Sequence, residues 1–172
     1  MTKHAQPVSV SRSIAAPAAT IFAVLADPSR HKEMDGSGML RGTSFDGRIS
    51  AVGEVFVMKM HFGPIGDYEM NNHVLEFVSN RRIAWQPVSG RGHPDADTAQ
   101  ARWGHTWSFV LHSAGQGTTM VTETWDCFGA VEDEDGAHWI PSMTSTLARL
   151  EVLCLTAPVD DTGAISAETR TT

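Results

Sequence analysis

The feature that most constrains the fold of this chain is a long amphipathic helix predicted near its end. In residues 141–157, PSMTSTLARLEVLCLTA, apolar side chains recur at steps of three and four, which places them on one helical stripe. The stripe consists of Met143, Leu147, Leu150, Cys154 and Ala157. The region ahead of it, residues 40–128, has the patterns of strands, so the expected partner is one face of a sheet. A sheet wrapped around one terminal helix leaves room for a cavity.

Length and composition favour one globular domain. The chain has 172 residues, of which 41% are apolar and 19% charged, and a domain of that size buries roughly 70% of the surface of its unfolded chain. A net charge of −7 without a basic run argues against a nucleic-acid partner. Residues 159–172 are small and polar without periodicity, so we expect a single domain over residues 1–158 followed by a tail.

The termini and cysteines bear on where the protein works. The first residues are polar and no window approaches the ~20 apolar residues that cross a bilayer, so we expect no signal peptide, no membrane span and a cytoplasmic location. Cys127 and Cys154 both fall in apolar patterns, which favours buried thiols over a disulfide. The oligomeric state stays open, a homodimer included.

The first elements are predicted by periodicity and by proline. Residues 8–14 alternate apolar and polar side chains, as a half-buried strand does. A helix is expected from Pro17 to about Ala26, since proline suits a first helical position. Asp27 can then cap a second short helix over residues 28–34.

From residue 39 onward the apolar period changes to two, which predicts a run of strands. The six predicted strands cover residues 39–45, 53–62, 67–77, 82–88, 102–112 and 118–128. Most of the connections between them are short, which favours antiparallel neighbours. One connection, residues 90–100, is longer and rich in Gly, Pro and Asp, so we expect a mobile loop at one rim, too polar to bury.

The alternation along these strands assigns apolar side chains to an inward face, toward the terminal helix. Ligand sites tend to be apolar clefts, and Met adapts to varied shapes. The candidate ligand-binding residues on this basis are Phe56, Met58, Met60, Phe62, Trp85, Trp103, Trp107, Phe109, Trp125, Met143, Leu147 and Leu150. The plain alternative is that these side chains fill an ordinary core.

Two titratable residues share that inward face, His105 and Glu123. A carboxylate on an apolar face costs free energy unless it is paired, so Glu123 either has a partner such as His105 or Arg102 or lines a wet cavity. The two residues are the candidate catalytic pair. The plain alternative for His105 is a hydrogen-bonded histidine of the core.

Motifs for other chemistries are absent from the sequence. There is no phosphate-binding glycine loop, no dinucleotide fingerprint, no H-E-x-x-H, no C-x-x-C and no G-x-S-x-G. His61, His73, His93 and His105 could meet only through tertiary folding. We therefore expect no cofactor and no metal.

Several segments resemble a known superfamily. They are VSRSIAAPAATIFAVLADP at residues 10–28, NRRIAW at 80–85, WSFVL at 107–111 and GTTMVTET at 117–124. Together they resemble the SRPBCC superfamily, also called START-like or birch-pollen-allergen-like, and within it the polyketide cyclase/dehydrase and lipid-transport group. The resemblance implies an α+β helix-grip fold, in which a curved seven-stranded antiparallel sheet wraps around a long C-terminal helix. Two short helices follow the first strand, and a deep hydrophobic cavity lies between sheet and helix.

Three functions remain open at this point because fold membership names no reaction. The leading hypothesis is binding of a small hydrophobic or amphipathic molecule, lipid-like or polyketide-like, in the cavity. The second is a cyclase or dehydratase that uses His105 and Glu123 as an acid-base pair. The third is a protein-interaction module with a vestigial pocket, which requires a dry, well-packed core and an exposed apolar patch.

Overall fold

One antiparallel sheet of seven strands forms the frame of the molecule over the residues that the computed structural model describes, 6–128 and 136–156. The strands are β1 Val8–Ile14, β2 Leu40–Thr43, β3 Val55–Phe62, β4 Gly66–Val78, β5 Arg82–Ser89, β6 His105–Gly115 and β7 Thr118–Cys127. The helices are α1 Ala18–Leu25, α2 Pro28–Met34 and α3 Ile140–Thr156. The predicted helix-grip fold is confirmed, whereas the predicted tail, residues 159–172, lies outside the described residues.

The strand order in the sheet is β1-β7-β6-β5-β4-β3-β2. Each strand from β2 to β6 therefore pairs with the next one along the chain, as the short connections predicted. The exception is β1, which pairs with β7 so that Val10 lies opposite Glu123. The pairing of β4 with β5 shifts register between Val74 and Glu76, and such a bulge bends a sheet.

Local sequence explains where the helices begin. Asp27 caps α2 as predicted, because its Oδ1 accepts a hydrogen bond of 3.1 Å from the backbone N–H of Ser29. Pro28 occupies the first turn of α2, where its missing N–H has no helical partner to lose. Pro141 has the same place in α3, which begins at Ile140, one residue before the predicted start.

The second half of α3 packs into a filled core. Leu147 and Leu150 are fully buried in one apolar cluster with Ile14 of β1 and with Ile21 and Leu25 of α1. Cys154 belongs to the same cluster, and both cysteines are buried free thiols. The prediction of buried thiols instead of a disulfide is confirmed.

The segment after α2 contacts the middle of α3 through its own backbone atoms. Gly36 donates its N–H to Oγ1 of Thr146 at 3.0 Å, and the guanidinium of Arg149 donates to the carbonyl of Asp35 at 2.6 Å. A β-carbon at position 36 would overlap the carbonyl oxygen of Ser142. Only glycine lets the two segments approach this closely.

Candidate functional site

A cavity of about 590 Å³ lies between the concave face of the sheet and the first half of α3. Ligand sites for small molecules have volumes of this size, about 300–1,000 Å³. Nine of the twelve candidate ligand-binding residues line it. They are Phe56, Met58, Met60, Phe62, Trp85, Trp103, Trp107, Phe109 and Met143.

The other three candidates are placed elsewhere, which corrects their assignment to the cavity wall. Leu147 and Leu150 lie one and two turns beyond Met143, where α3 packs against α1 and β1 instead of facing open space. Trp125 is 1% exposed and packs with Cys127 and Met143 in a separate cluster. The helical stripe predicted which side of α3 faces the sheet, but not where along α3 the cavity ends.

His31 is a cavity residue that the sequence analysis missed, because α2 has a mostly polar sequence. Its ring is 3% exposed and stacks on Trp85, with 5.5 Å between ring centroids. Nε2 of His31 donates to the carbonyl of Leu25 at 2.8 Å. Burial lowers the pKa of His31, so the ring is neutral and its Nδ1 is an acceptor.

The loop that follows β5 closes one end of the cavity. The side chain of His93 is 7% exposed and lies between two aromatic rings, with centroids 5.1 Å from Tyr68 and 5.9 Å from Trp103. His93, Tyr68 and Trp103 all line the cavity. The expectation that residues 90–100 are too polar to bury is therefore wrong for His93, whose ring has aromatic partners.

Glu123 presents a buried carboxyl group to the cavity. The residue is 4% exposed, lies opposite Val10 of β1 and Phe109 of β6, and its Oε2 has no hydrogen-bond partner among the described residues. Burial, together with the negative charge of Asp35, raises the pKa of Glu123 to about 8. The group is thus mostly protonated at neutral pH, and leaving it unsatisfied costs about 1–3 kcal/mol.

His105 lines the same cavity but lies far from Glu123. His105 pairs with Cys127, whereas Glu123 pairs with Phe109, four residues further along β6. At the rise of a strand this offset separates the two positions by roughly 14 Å. Burial lowers the pKa of His105 to about 4, so its ring is neutral. The predicted partnership of His105 with Glu123 is wrong, because two residues on the same face of a sheet can still lie far apart.

The alternative partner, Arg102, is also engaged elsewhere, since it donates to Oε1 of Gln86 at 2.8 Å. Glu123 lines the cavity, which is the remaining possibility that the sequence left open for it. The hypothesis of a contacting acid-base pair therefore lacks its geometry.

Two indole groups add unpaired donors to the cavity wall. Nε1 of Trp103 and Nε1 of Trp139 are buried without a hydrogen-bond partner among the described residues, and both tryptophans line the cavity. An indole N–H can only donate. No Lys or Arg of the described residues lines the cavity, so the wall combines apolar surface with unpaired polar groups and carries no fixed positive charge.

Within residues 6–128 and 136–156, no three His, Cys, Asp or Glu side chains lie close enough to hold a metal ion together. In the same residues, no helix is both long and apolar enough to span a membrane.

The comparison with known protein families identifies the chain. The family model described as "Activator of Hsp90 ATPase homolog 1-like protein" matches residues 15–154. The chain belongs to this family. Its membership confirms the resemblance to the SRPBCC superfamily, whose cavity is consistent with the binding of hydrophobic ligands in general.

A relative of this family member is the uncharacterized protein Rv0088 of Mycobacterium tuberculosis. It is 36% identical over 134 residues, which make up 77% of this chain and 53% of the relative. The chain therefore spans about half the length of the curated relatives it matches.

Solved structures share the fold at low sequence identity. The Aha1 dimer from Colwellia psychrerythraea is 19% identical with a TM-score of 0.62, and the match covers 90% of this chain and 99% of that one. The major latex-like protein 151 of Panax ginseng is 13% identical with a TM-score of 0.62, covering 87% and 97%. Identities this low support the fold alone.

Proposed function

We propose that this protein binds one small hydrophobic or amphipathic molecule, lipid-like or polyketide-like, in the cavity between the sheet and α3. The observation that carries the proposal is a cavity of about 590 Å³ whose wall holds buried polar atoms that have no partner among the described residues, Glu123 Oε2 and Nε1 of Trp103 and Trp139. Buried polar groups normally have a partner, and a bound ligand is a partner that the described chain does not supply.

The apolar part of the wall supports the same proposal. Met58, Met60, Met70 and Met143 all line the cavity, and methionine side chains adapt to ligands of different shape. Trp85 and Phe109 stack with 5.7 Å between centroids and offer flat surface to a ring or chain. The free energy of binding would come from apolar area, and the polar groups would orient the ligand.

The alternative functions have less support. An acid-base enzyme of the cyclase or dehydratase type was expected to use His105 and Glu123 together, and these residues lie roughly 14 Å apart at the rise of a strand. An interaction module with a vestigial pocket was expected to have a dry, filled interior, which a cavity of about 590 Å³ does not resemble.

The experiment compares two methionine substitutions. Met60→Trp places an indole inside the cavity, so we expect the affinity for the neutral dye Nile red to fall at least tenfold. Met120→Trp is the matched control, because Met120 is 37% exposed on β7 and does not line the cavity. The measurement is fluorescence titration, with native mass spectrometry of each purified protein to detect a co-purified molecule.

The comparison requires that both variants have melting temperatures within a few degrees of that of the wild type. If Met60→Trp is less stable than this, Met70→Trp is used in its place. Equal dye binding by the cavity variant and the control would overturn the proposal. Absence of any dye binding by the wild-type protein, together with no co-purified mass, would overturn it as well.

A further inference from the structure

We infer that the ligand is a neutral, elongated molecule with a hydrogen-bond-accepting oxygen at each end, one bound near Glu123 and the other near the indoles of Trp103 and Trp139. This inference rests on the proposed function, since it names the chemical class that the same cavity would take.

The first polar end of the cavity is Glu123. Glu123 lies on the central part of β7, between Val10 and Phe109, and its Oε2 has no partner in the part of the chain that the structure describes. The neighbouring carboxylate of Asp35 is already occupied, because it accepts hydrogen bonds from the backbone of Ser37 and of Leu40 at 2.9 Å each. Glu123 is therefore the buried side chain at this end whose polar atom has no partner among the described residues.

The second polar end lies where β6 begins. Trp103 contacts the ring of His105 at 6.2 Å between centroids, and Trp139 contacts Trp107 at 5.3 Å. The indole N–H groups of Trp103 and Trp139 are both donors without a partner in residues 6–128 and 136–156. Only a ligand that brings an acceptor can satisfy them.

Apolar surface separates the two ends. Trp107, Phe109 and Met143 line the cavity, and Trp107 and Phe109 alternate inward along β6 between His105 and the position opposite Glu123. Glu123 is offset by about 14 Å along the strand from His105, which contacts Trp103, whereas Trp139 contacts Trp107 between these positions. A flat apolar frame of two rings with an oxygen at each end matches this arrangement.

Charge decides between neutral and ionic ligands. An anion would meet no Lys or Arg among the described lining residues, and it would lie near Asp35, whose negative charge already acts on Glu123. A cation would need an ionised Glu123 as its partner, whereas this carboxyl group is buried beside Asp35, which favours its protonated form. A neutral molecule with acceptors satisfies both ends.

The test uses one biphenyl frame with different ends. The probes are 4,4′-diacetylbiphenyl, 4-acetyl-4′-ethylbiphenyl, 4,4′-diethylbiphenyl and 4′-acetylbiphenyl-4-carboxylate, titrated into the wild-type protein by fluorescence or displacement of Nile red. We expect the diketone to bind at least tenfold more tightly than the diethyl compound, with the monoketone between them and the carboxylate weakest of the ketones.

Variants assign the two oxygens to the two ends. Glu123→Met removes the carboxyl group at nearly constant size, and Trp139→Phe removes the indole N–H together with one ring, so each should lower the ratio of diketone to diethylbiphenyl affinity at least threefold. Trp103→Phe gives a second measurement at the indole end if Trp139→Phe folds poorly.

The outcomes separate this inference from the proposed function. Equal affinity for the diketone and the diethyl compound, or tightest binding of the carboxylate, would overturn the inference while Nile red binding still supports a hydrophobic site. Binding of Nile red without binding of any biphenyl would also overturn the inference alone. Failure of Nile red and every biphenyl to bind would overturn the proposed function.

Discussion

The two halves of α3 contact the same sheet with opposite results. The second half, with Leu147 and Leu150, packs against α1 and β1 without open space. The first half, with Met143 and Thr146, lines a cavity of about 590 Å³ together with β3 to β7. One amphipathic stripe therefore serves two purposes along its length.

The second half of α3 therefore contributes mainly to stability, and the first half contributes mainly to the cavity. Open space forfeits dispersion contacts and unpaired carboxyl and indole groups cost free energy, so the half with the cavity contributes less to folding. The half with Leu147 and Leu150 has to compensate. Mutations at the two ends of α3 should then differ in kind: loss of folding at one end, altered binding or pH response at the other.

The largest effect is expected in the filled half. Leu150→Ala removes a fully buried side chain from the core, so the free energy of unfolding should fall by about 4 kcal/mol. The matched control is Leu40→Ala, because Leu40 is partly buried and already borders the cavity; it should lose less than about 1.5 kcal/mol. Urea unfolding measures both values. Equal losses would contradict the division between the halves.

The next effect concerns the contact between α2 and the first half of α3. Gly36→Ala puts a methyl group against the carbonyl of Ser142, so we expect a loss of about 3 kcal/mol from overpacking. Gly63→Ala is the control, since nothing lies within 4 Å of a β-carbon there. The melting temperatures of both variants test this. A Gly36→Ala protein as stable as the control would show that α2 can move away from α3 freely.

A third prediction uses the pH dependence of the open half. The pKa of Glu123 is raised from 4.5 to about 8 in the folded state, so its contribution is fully present below pH 4.5 and is lost as the pH rises through 8. Between pH 5 and pH 8 this loss amounts to about 3 kcal/mol, at about 1.4 kcal/mol for each pKa unit. Glu123→Gln cannot ionise, so its stability relative to the wild type should increase by that amount over this range.

The stability of the wild type has to be compared with that of Glu123→Gln, because the titration of His105 changes stability with pH in the opposite direction. Its folded pKa, about 4, lies below the usual 6.5, so the stability it contributes is lost as the pH falls from 6.5 toward 4. Both proteins retain His105, and the difference between them isolates Glu123. Urea unfolding at pH 5, 6.5 and 8 gives the difference, and a difference that does not change with pH would contradict the buried, unpaired carboxyl.

Sequence periodicity predicted the faces of the strands because the pleat alternates strictly, and so it placed Phe56, Met58, Trp107 and Glu123 inward. It could not predict the separation of His105 from Glu123, since that depends on the register in which Phe109 lies opposite Glu123. The pleat of a single strand determines which face a side chain lies on. The distance between two residues on different strands also depends on how those strands pair.

The apolar alternation along the strands also could not predict the cavity residues that other elements contribute. His31 comes from a short helix with a polar sequence, and His93 comes from a loop rich in Gly, Pro and Asp. Their burial depends on aromatic partners from distant strands, Trp85 for His31 and Tyr68 and Trp103 for His93. No local periodicity encodes such contacts.

The return of β1 to β7 has a consequence for the order of assembly. Strands β2 to β7 form hairpins with their neighbours, but Ser11 meets Thr122 through hydroxyls 2.8 Å apart and 111 residues distant in sequence. A closure of that length is slow compared with local hairpins. During synthesis the meander can form while β1 waits for β7, so the wall of the cavity at Glu123 is completed among the last parts of the sheet. Binding that depends on Glu123 therefore requires the pairing of β1 with β7 to be complete.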